Sequence, residues 1–336
     1  MPSGISHMLL SRYLPLGADR PYLHKQRANT RYFQIGSIAP DLPYASLTDN
    51  NFLDSDSEIA DLFHFAHAGQ SPEQAPNRLP LLGLERVKTY LEQGADKRGC
   101  DAFFWFLVGY ASHVIADGVC HPFVMDKVGR YEGPNKAAHR ALEMGLDVLL
   151  FKHFTGTSGH AIEAGYARMD TFIKGFNELA SADIVCHHFA ALIRTIYGVR
   201  VRPAEVRGWV AGISRLFCLA TGRWPAWFRN LDLTRPYAFR EIADLDGRED
   251  DYLVLERPRY WEGNFRGVER VHFLDDCLPR FNALMMAFLD MAWAYVYEDG
   301  PPLVAADLPA CSLDTGRPVR DFDNVALVPS LWEVTA

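Results

Sequence analysis

The chain has 336 residues, of which 49% are apolar and 23% are charged, a composition that supports a large folded core and excludes a low-complexity chain. Acidic residues outnumber basic ones by 42 to 34, and the resulting net charge of −8 argues against a broad electrostatic grip on duplex nucleic acid. The six cysteines form no CxxC pair, which argues against a thiolate zinc site.

Targeting signals are not evident in the sequence. The first residues lack a basic start followed by an unbroken apolar run, which is the pattern of a secretory signal. The longest apolar window, from Ala102, meets His113 and Asp117 before it reaches the ~20 apolar residues of a membrane span. We therefore expect a cytoplasmic protein with no transmembrane segment.

Helical periodicity recurs along most of the chain, and strand signals are scarce. This pattern predicts an all-α, multi-helix, single-domain fold. We expect residues 1–300 to form the helical domain and residues 301–336, rich in turns, to form a C-terminal extension packed on it. Helices are predicted over residues 5–13, 59–66, 81–94, 103–122, 136–154, parts of 161–199, 203–222 and 268–297, and the last of these is the longest.

Three polar residues in the first part of the chain are candidates for a functional site. His7 lies in the first predicted helix, and His64 lies in the second, three residues before His67. Asp41 lies between Pro40 and Pro43, whose fixed backbone disfavours a regular helix, so we expect a stiff loop to present it. Each also has an ordinary interpretation: a solvated histidine, a surface pair or a turn aspartate.

The stretch from residue 103 to 122 is a nearly continuous apolar helix with an H-x-x-x-D-x-x-x-H pattern. His113, Asp117 and His121 recur every four residues and therefore share one helix face. A buried carboxylate or imidazole is normally paired or bound to metal. By itself this stretch supports equally a hydrogen-bonded core pair and a metal site. We expect Asp101 to cap the helix and Pro122 to end it.

The predicted helix over 136–154 carries a second row of polar residues. His139, Glu143 and Asp147 are again four apart. A charge row on a helix is usually a solvated face, and the adjacent Arg140 leaves that interpretation open. The alternative is a second set of metal ligands.

Taken together, the candidate ligands are more numerous than one tetrahedral zinc ion can use. They imply two or three metal ions, and clustered metals are typical of phosphoryl chemistry because they activate water and hold phosphate oxygens. The nitrogen and oxygen donors suit zinc, although iron or manganese would accept them too. The candidates are His7, Asp41, His64, His113, Asp117, His121, His139 and Glu143.

Four segments, in this order, resemble the bacterial zinc-dependent phospholipase C family. They are the turn G-S-I-A-P-D ending at Asp41, the segment D-L-F-H ending at His64, the run from Gly109 to Pro122, and H-R-A-L-E from His139 to Glu143. The resemblance covers roughly the first 155 residues. It implies an all-helical fold with three zinc ions in a cleft, a fold that fungal single-strand nucleases share.

The resemblance also implies a role for each candidate. Asp41, His64, His113 and Asp117 would hold one zinc ion, and Asp41 would help deprotonate the attacking water. A second ion would be held by His121, His139 and Glu143, and His7 would contribute to a third with Asp117 bridging.

The sequence departs from the family pattern in two ways, and each departure leads to an expectation. Secreted members complete the third site with the α-amino group of a mature N-terminal Trp, whereas this chain begins Met1-Pro2, so the third site should be weaker or use another donor such as His67. Choline-preferring members place an aromatic residue directly after the turn aspartate. Here that residue is Leu42, so choline selectivity is not expected.

Three functions are compatible with these residues. The first is a zinc-dependent phosphodiesterase of phospholipase C type that hydrolyses a phospholipid or related phosphoester with metal-activated water, its apolar group seated by residues such as Phe63, Phe103 and Tyr110. The second is a metal-dependent nuclease or small-molecule phosphoesterase with the same fold. The third is a metal-stabilised scaffold without enzymatic activity.

Overall fold

The fold is all-α, as the sequence predicts. The computed structural model describes residues 4–17, 19–46, 56–64, 70–129, 135–156, 173–220, 245–257, 269–308 and 310–316. Within these ranges the α-helices are α1 Gly4–Arg12, α2 Leu23–Ala28, α3 Thr30–Gly36, α4 Ser57–His64, α5 Arg78–Glu92, α6 Lys97–Val128, α7 Asn135–Thr155, α8 Ala182–Tyr197, α9 Pro203–Ala220, α10 Glu249–Leu253 and α11 Leu278–Tyr297. Short 3₁₀ segments cover Ala39–Ala45, Pro72–Gln74, Gly175–Glu178 and Ala305–Asp307, and the strands β1 Val254–Glu256 and β2 Arg270–His272 pair antiparallel.

The helix α6 is the central element of the fold. Its 32 residues contact α3, α5, α7, α8 and α11. By length and composition it could cross a bilayer, but its most apolar window is wholly buried inside the protein. The helix is therefore surrounded by other helices of the same chain, which explains why almost every position on it is apolar.

The ends of α6 differ from the prediction. The carboxylate of Asp96, not that of Asp101, caps the helix by accepting from the backbone N–H groups of Arg98 and Gly99. Asp101 instead accepts hydrogen bonds from Lys25 at 3.0 Å and from the Tyr297 hydroxyl at 2.6 Å. A polar residue early in an apolar run can cap or pair, and tertiary neighbours decide between the two.

The expectation that Pro122 ends α6 is wrong, because the helix continues through it to Val128. A proline in a helix interior leaves the carbonyl four residues earlier, here that of Gly118, without its usual N–H donor. Gly316 packs at this point: a Cβ on it would lie 2.9 Å from the Gly118 oxygen and 2.6 Å from Cδ of Pro122. The defect in the helix is thus covered by a distant segment of the chain.

Two glycines allow α3 to cross α6 with the backbones in direct contact. A Cβ on Gly36 would lie 2.0 Å from the carbonyl oxygen of Phe106, and one on Gly109 would lie 2.2 Å from that of Phe33. Real Cβ atoms essentially never show such distances. The pair therefore determines how closely the residues after α3, including Ser37 and Asp41, approach α6.

The C-terminal part departs from the predicted single long helix over 268–297. Residues 270–272 form β2 because they pair with β1, Phe273–Cys277 form a π-helical turn, and α11 begins only at Leu278. Leu216 of α9 is apolar and 39% exposed, so the apolar residues of this helix do not all face the core. Leu308, Cys311 and Leu313 of the tail are buried in the same core as the helices, while the domain boundary near residue 300 stays a prediction.

Candidate metal centre

All eight predicted ligands are buried, and the structure brings them into one continuous region. They come from five elements: α1, the 3₁₀ segment after α3, α4, α6 and α7. The ligands form three sets, and within each set the ligand atoms all lie within 4.8 Å of one another. The sets are His7, Asp41 and His113; His64, His113 and Asp117; and His121, His139 and Glu143.

The carboxylate of Asp117 links the members of this region. Its Oδ1 lies 3.2 Å from Nε2 of His7 and 3.7 Å from Nε2 of His121, while its Oδ2 lies 3.1 Å from Nε2 of His113. The rings of His7 and His113 stack with their centroids 3.7 Å apart. One carboxylate thus contacts three imidazoles that the sequence places on two separate helices.

Asp41 and His64 close one side of the region. Nε2 of His64 lies 3.2 Å from Oδ1 of Asp41. Asp41 is presented by the 3₁₀ segment Ala39–Ala45, which contains Pro40 and Pro43. The prolines therefore exclude a regular α-helix, as predicted, but the segment is helical in the tighter 3₁₀ form, with Pro43 in its interior.

The row on α7 is buried and not a solvated face. His139 is 0% exposed, Glu143 4% and Asp147 0%, and Nε2 of His139 lies 3.1 Å from Oε1 of Glu143. Asp147 takes no part in the three ligand sets. Instead its Oδ1 accepts from the backbone N–H of Ser6 at 3.0 Å and from its hydroxyl at 2.5 Å, so it holds the residue next to His7.

The tautomer of three histidines follows from backbone carbonyls. Nδ1 of His64 donates to the carbonyl of Ala60 at 2.7 Å, and Nδ1 of His113 donates to that of Ser37 at 2.9 Å. Nδ1 of His121 donates to the carbonyl of Leu313. Since a carbonyl oxygen only accepts, each Nδ1 carries the proton. In the neutral ring, Nε2 then has a free lone pair directed into the cluster, as in histidines that bind metal.

The donor set and its spacing fit zinc. Two ligands about 2.0–2.1 Å from a tetrahedral zinc ion lie about 3.3 Å apart, close to the observed contacts of 3.1–3.2 Å. Within the described residues, Nε2 of His7, His64, His113 and His121 and both oxygens of Asp117 are buried without a well-directed hydrogen bond. Buried polar groups without partners are costly, and a cation would satisfy them together.

The pKa shifts of several residues in the cluster favour the protonation states that bind metal. Burial raises the pKa of Asp117, but His121, His113 and His7 outweigh it and hold that pKa well below its usual range. Burial likewise raises the pKa of Asp41, and His113 and His64 bring it below the ordinary value. Burial lowers the pKa of His7 and of His121. Ionised carboxylates and neutral imidazoles are the forms that bind metal.

His64 differs from the other histidines. Burial lowers its pKa, but the adjacent Asp41 carboxylate outweighs burial and raises that pKa to about 9. In the metal-free protein His64 is therefore protonated at neutral pH. A cation bound here would displace that proton, because both occupy the space between Nε2 and the Asp41 carboxylate.

Two residues near the cluster escaped sequence analysis. Leu313 contacts His121 through its carbonyl, as described, and Asp314 follows it in a partly buried position. Burial raises the pKa of Asp314, and His64 opposes this. Neither residue belongs to a helical pattern or a recognisable motif. Long-range packing alone places them, so no signal in the sequence could have found them.

Several other aromatic and histidine residues do not belong to the cluster. Phe63, Phe103 and Tyr110 are fully buried in the core, so they pack the helices and do not seat a substrate. His188 packs against Tyr90 and Phe103 away from the cluster. His67 and Phe65 lie outside the described residues.

The helical fold and the buried array of imidazoles and carboxylates define a protein built around a candidate zinc centre. A family model described as zinc-dependent phospholipase C matches residues 5–182, just over half of the chain and every predicted ligand. The chain therefore belongs to the zinc-dependent phospholipase C family. Comparison with curated proteins gives no match, and neither does comparison with solved structures.

Family membership supports the predicted class of activity. The protein is a hydrolase of zinc-dependent phospholipase C type, and the family implies a phosphoester or phospholipid substrate. Zinc fits both the family and the observed ligand sets. The number of ions and the role of each residue remain proposals.

Proposed function

We propose that the protein is a phosphodiesterase that hydrolyses a phospholipid or related phosphoester with water activated by two or three zinc ions. The observation that carries this proposal is the convergence, in a family of zinc hydrolases, of eight buried ligand residues. Their spacing matches atoms that share a metal ion, and a structural role for so many unsatisfied donors and acceptors has no comparable support.

The observed proximities support the ion assignments proposed from the sequence, except that one ligand set groups His7 with Asp41 and His113. We assign Asp41, His64, His113 and Asp117 to one ion, with the contacts between His64 and Asp41 and between His113 and Asp117 in support. We assign His121, His139 and Glu143 to a second ion, which corresponds to one of the ligand sets. His7 would serve a third with Asp117, whose Oδ1 it contacts.

Asp41 is the proposed proton acceptor. When bound, zinc lowers the pKa of a coordinated water and offsets the negative charge that develops on the phosphoryl group. The imidazoles around Asp41 keep its carboxylate ionised, so it can take the proton that the attacking water loses. Asp41 and Glu143 retain 5% and 4% exposure, whereas the histidine ligands are more deeply buried, so these carboxylates lie nearest to solvent.

Backbone carbonyls hold three of the histidine ligands in place in this proposal. Hydrogen bonds from Nδ1 of His64, His113 and His121 to backbone carbonyls fix three rings before any ligand binds. Preorganised donors lose little freedom on binding, which strengthens a metal site. The surrounding apolar core excludes bulk water and strengthens the electrostatic interactions inside the cluster.

The test is activity against three substrate classes after zinc loading. Phospholipid vesicles, single-stranded DNA and a small phosphodiester would be compared with the wild-type protein, His113→Ala and, as a control, His187→Ala, which changes an exposed histidine. We expect lipid turnover in the wild type and in the control. His113→Ala should lose both lipid turnover and bound zinc.

Each alternative function predicts a different result. Turnover of DNA or of the small diester without turnover of lipid would favour a nuclease or a small-molecule phosphoesterase. Stoichiometric zinc without any turnover would favour a scaffold. Full activity in His113→Ala would contradict the proposed site. Cytoplasmic location stays a prediction from the sequence.

A further inference from the structure

A segment near the end of the chain lies against the metal centre. We call residues 310–316 the C-terminal strap. The strap is far outside the range 5–182 that the family model matches. Its residues Cys311, Leu313 and Gly316 are buried, and Ser312, Asp314 and Thr315 between them are partly buried.

One residue of the strap, Leu313, contacts two of the candidate ligand residues. The backbone N–H of Leu313 donates to the carbonyl of His64 at 3.1 Å. Its own carbonyl accepts from Nδ1 of His121, 192 positions earlier in the chain. Leu313 therefore joins α4 to α6 at the point where each provides a candidate ligand, and it fixes the tautomer of His121.

Further contacts hold the strap along α6. The Cys311 thiol approaches the carbonyl of Val114 at 3.9 Å. Gly316 packs against Pro122 and the carbonyl of Gly118. Since Val114, Gly118 and Pro122 are four apart, they form one face of α6, and the strap runs beside the neighbouring face that carries Asp117 and His121.

We propose that the C-terminal strap positions two ligands of the metal centre, with the Leu313 carbonyl orienting the His121 ring and the Leu313 N–H holding the backbone of His64. This inference rests on the proposed zinc function. It assigns the placement of two ligands to a segment beyond the matched family region.

The first test measures zinc binding by the wild-type protein. Zinc per chain would be measured by mass spectrometry, zinc affinity by competition with a chromophoric chelator, and metal-free folding by thermal unfolding. We expect the wild-type protein to bind two or three zinc ions per chain.

The second test displaces the strap without changing a ligand. In Gly316→Ala the new Cβ would lie 2.6 Å from Cδ of Pro122 at a φ of 67°. The control is Gly198→Ala, which has a similar φ of 71° but nothing within 4 Å, so it reproduces the backbone strain without the clash. We expect weaker zinc binding at the His121 site only in Gly316→Ala.

The outcomes separate the inference from the function on which it rests. A wild-type protein that binds no zinc would overturn both. A wild type that binds zinc, with Gly316→Ala equal to it in zinc affinity, would overturn the inference and leave the proposed function standing. Equal zinc affinity in Gly316→Ala and Gly198→Ala would overturn the positioning role of the strap.

Discussion

The contact between α3 and α6 offers a sharp test of how the fold positions the metal centre. In Gly109→Ala the new Cβ would lie 2.2 Å from the carbonyl oxygen of Phe33 and 2.8 Å from the backbone nitrogen of Ser37. Ordinary van der Waals contact begins at 3.4 Å. The two backbones must therefore separate by about 3.4 − 2.2 = 1.2 Å, because neither atom belongs to a flexible side chain.

This separation also disturbs a ligand. The carbonyl of Ser37 accepts from Nδ1 of His113 at 2.9 Å, and a shift of 1.2 Å directly away would lengthen that distance to about 4.1 Å, beyond hydrogen-bonding range. Overpacking costs about 1–3 kcal/mol, and a buried donor left unsatisfied costs about 1–3 kcal/mol more. We expect Gly109→Ala to lower the free energy of unfolding by roughly 2–6 kcal/mol and zinc affinity by about 10- to 100-fold.

The assay combines denaturant unfolding of the metal-free protein with zinc competition. The matched control is Gly208→Ala in α9, where a Cβ meets nothing within 4 Å. Alanine is favoured over glycine in a helix by up to about 1 kcal/mol, so the control should be unchanged or more stable. If Gly109→Ala matched the wild type in both stability and zinc affinity, the close backbone contact would not position His113, and the reasoning would be refuted.

The remaining predictions concern charge, an anchoring hydrogen bond and metal removal. The pKa of His64 is about 9 in the folded metal-free protein against 6.5 ordinarily, so its stabilising effect is complete below pH 6.5 and lost as the pH rises through 9. The difference in unfolding free energy between the metal-free wild type and His64→Gln should therefore fall by roughly 3 kcal/mol over that interval, and a pH-independent difference would contradict it. Asp147→Ala should cost about 2–3 kcal/mol, whereas Asp147→Asn should retain most of the stability because both bonds from Ser6 go to one oxygen; equal losses in denaturant unfolding would argue otherwise. Chelation should lower the free energy of unfolding by about 4 kcal/mol if zinc was present at a thousand times its Kd, and an unchanged melting temperature would argue against bound metal.

Local spacing made much of the site predictable. His113, Asp117 and His121 share a face of α6 because residues four apart always do in an α-helix, and the same holds for His139 and Glu143 on α7. The order of the motifs then indicated the family that the comparison identifies. The apolar composition of α6 likewise predicted a buried helix, since only burial stabilises so many apolar residues on every side.

Other features depended on contacts between distant segments. The sequence left open whether the row on α7 faces solvent or the core, because the adjacent Arg140 is compatible with a solvated face. Pro122 is a helix breaker by its own geometry, yet the helix continues, and Gly316 packs against the carbonyl it leaves free. Such outcomes reflect packing that a local pattern does not contain.

The sequence by itself determined the helical class, the ligand types and the ligands that share a helix, because these follow from composition and from periodicity within one element. Only the tertiary structure decided that His7 meets Asp117 and that Ser37 and Leu313 orient His113 and His121. The physical reason is that neighbours along a helix are set by its pitch. Neighbours across the fold are set by how whole helices pack, down to backbone contacts such as the one that Gly36 and Gly109 permit.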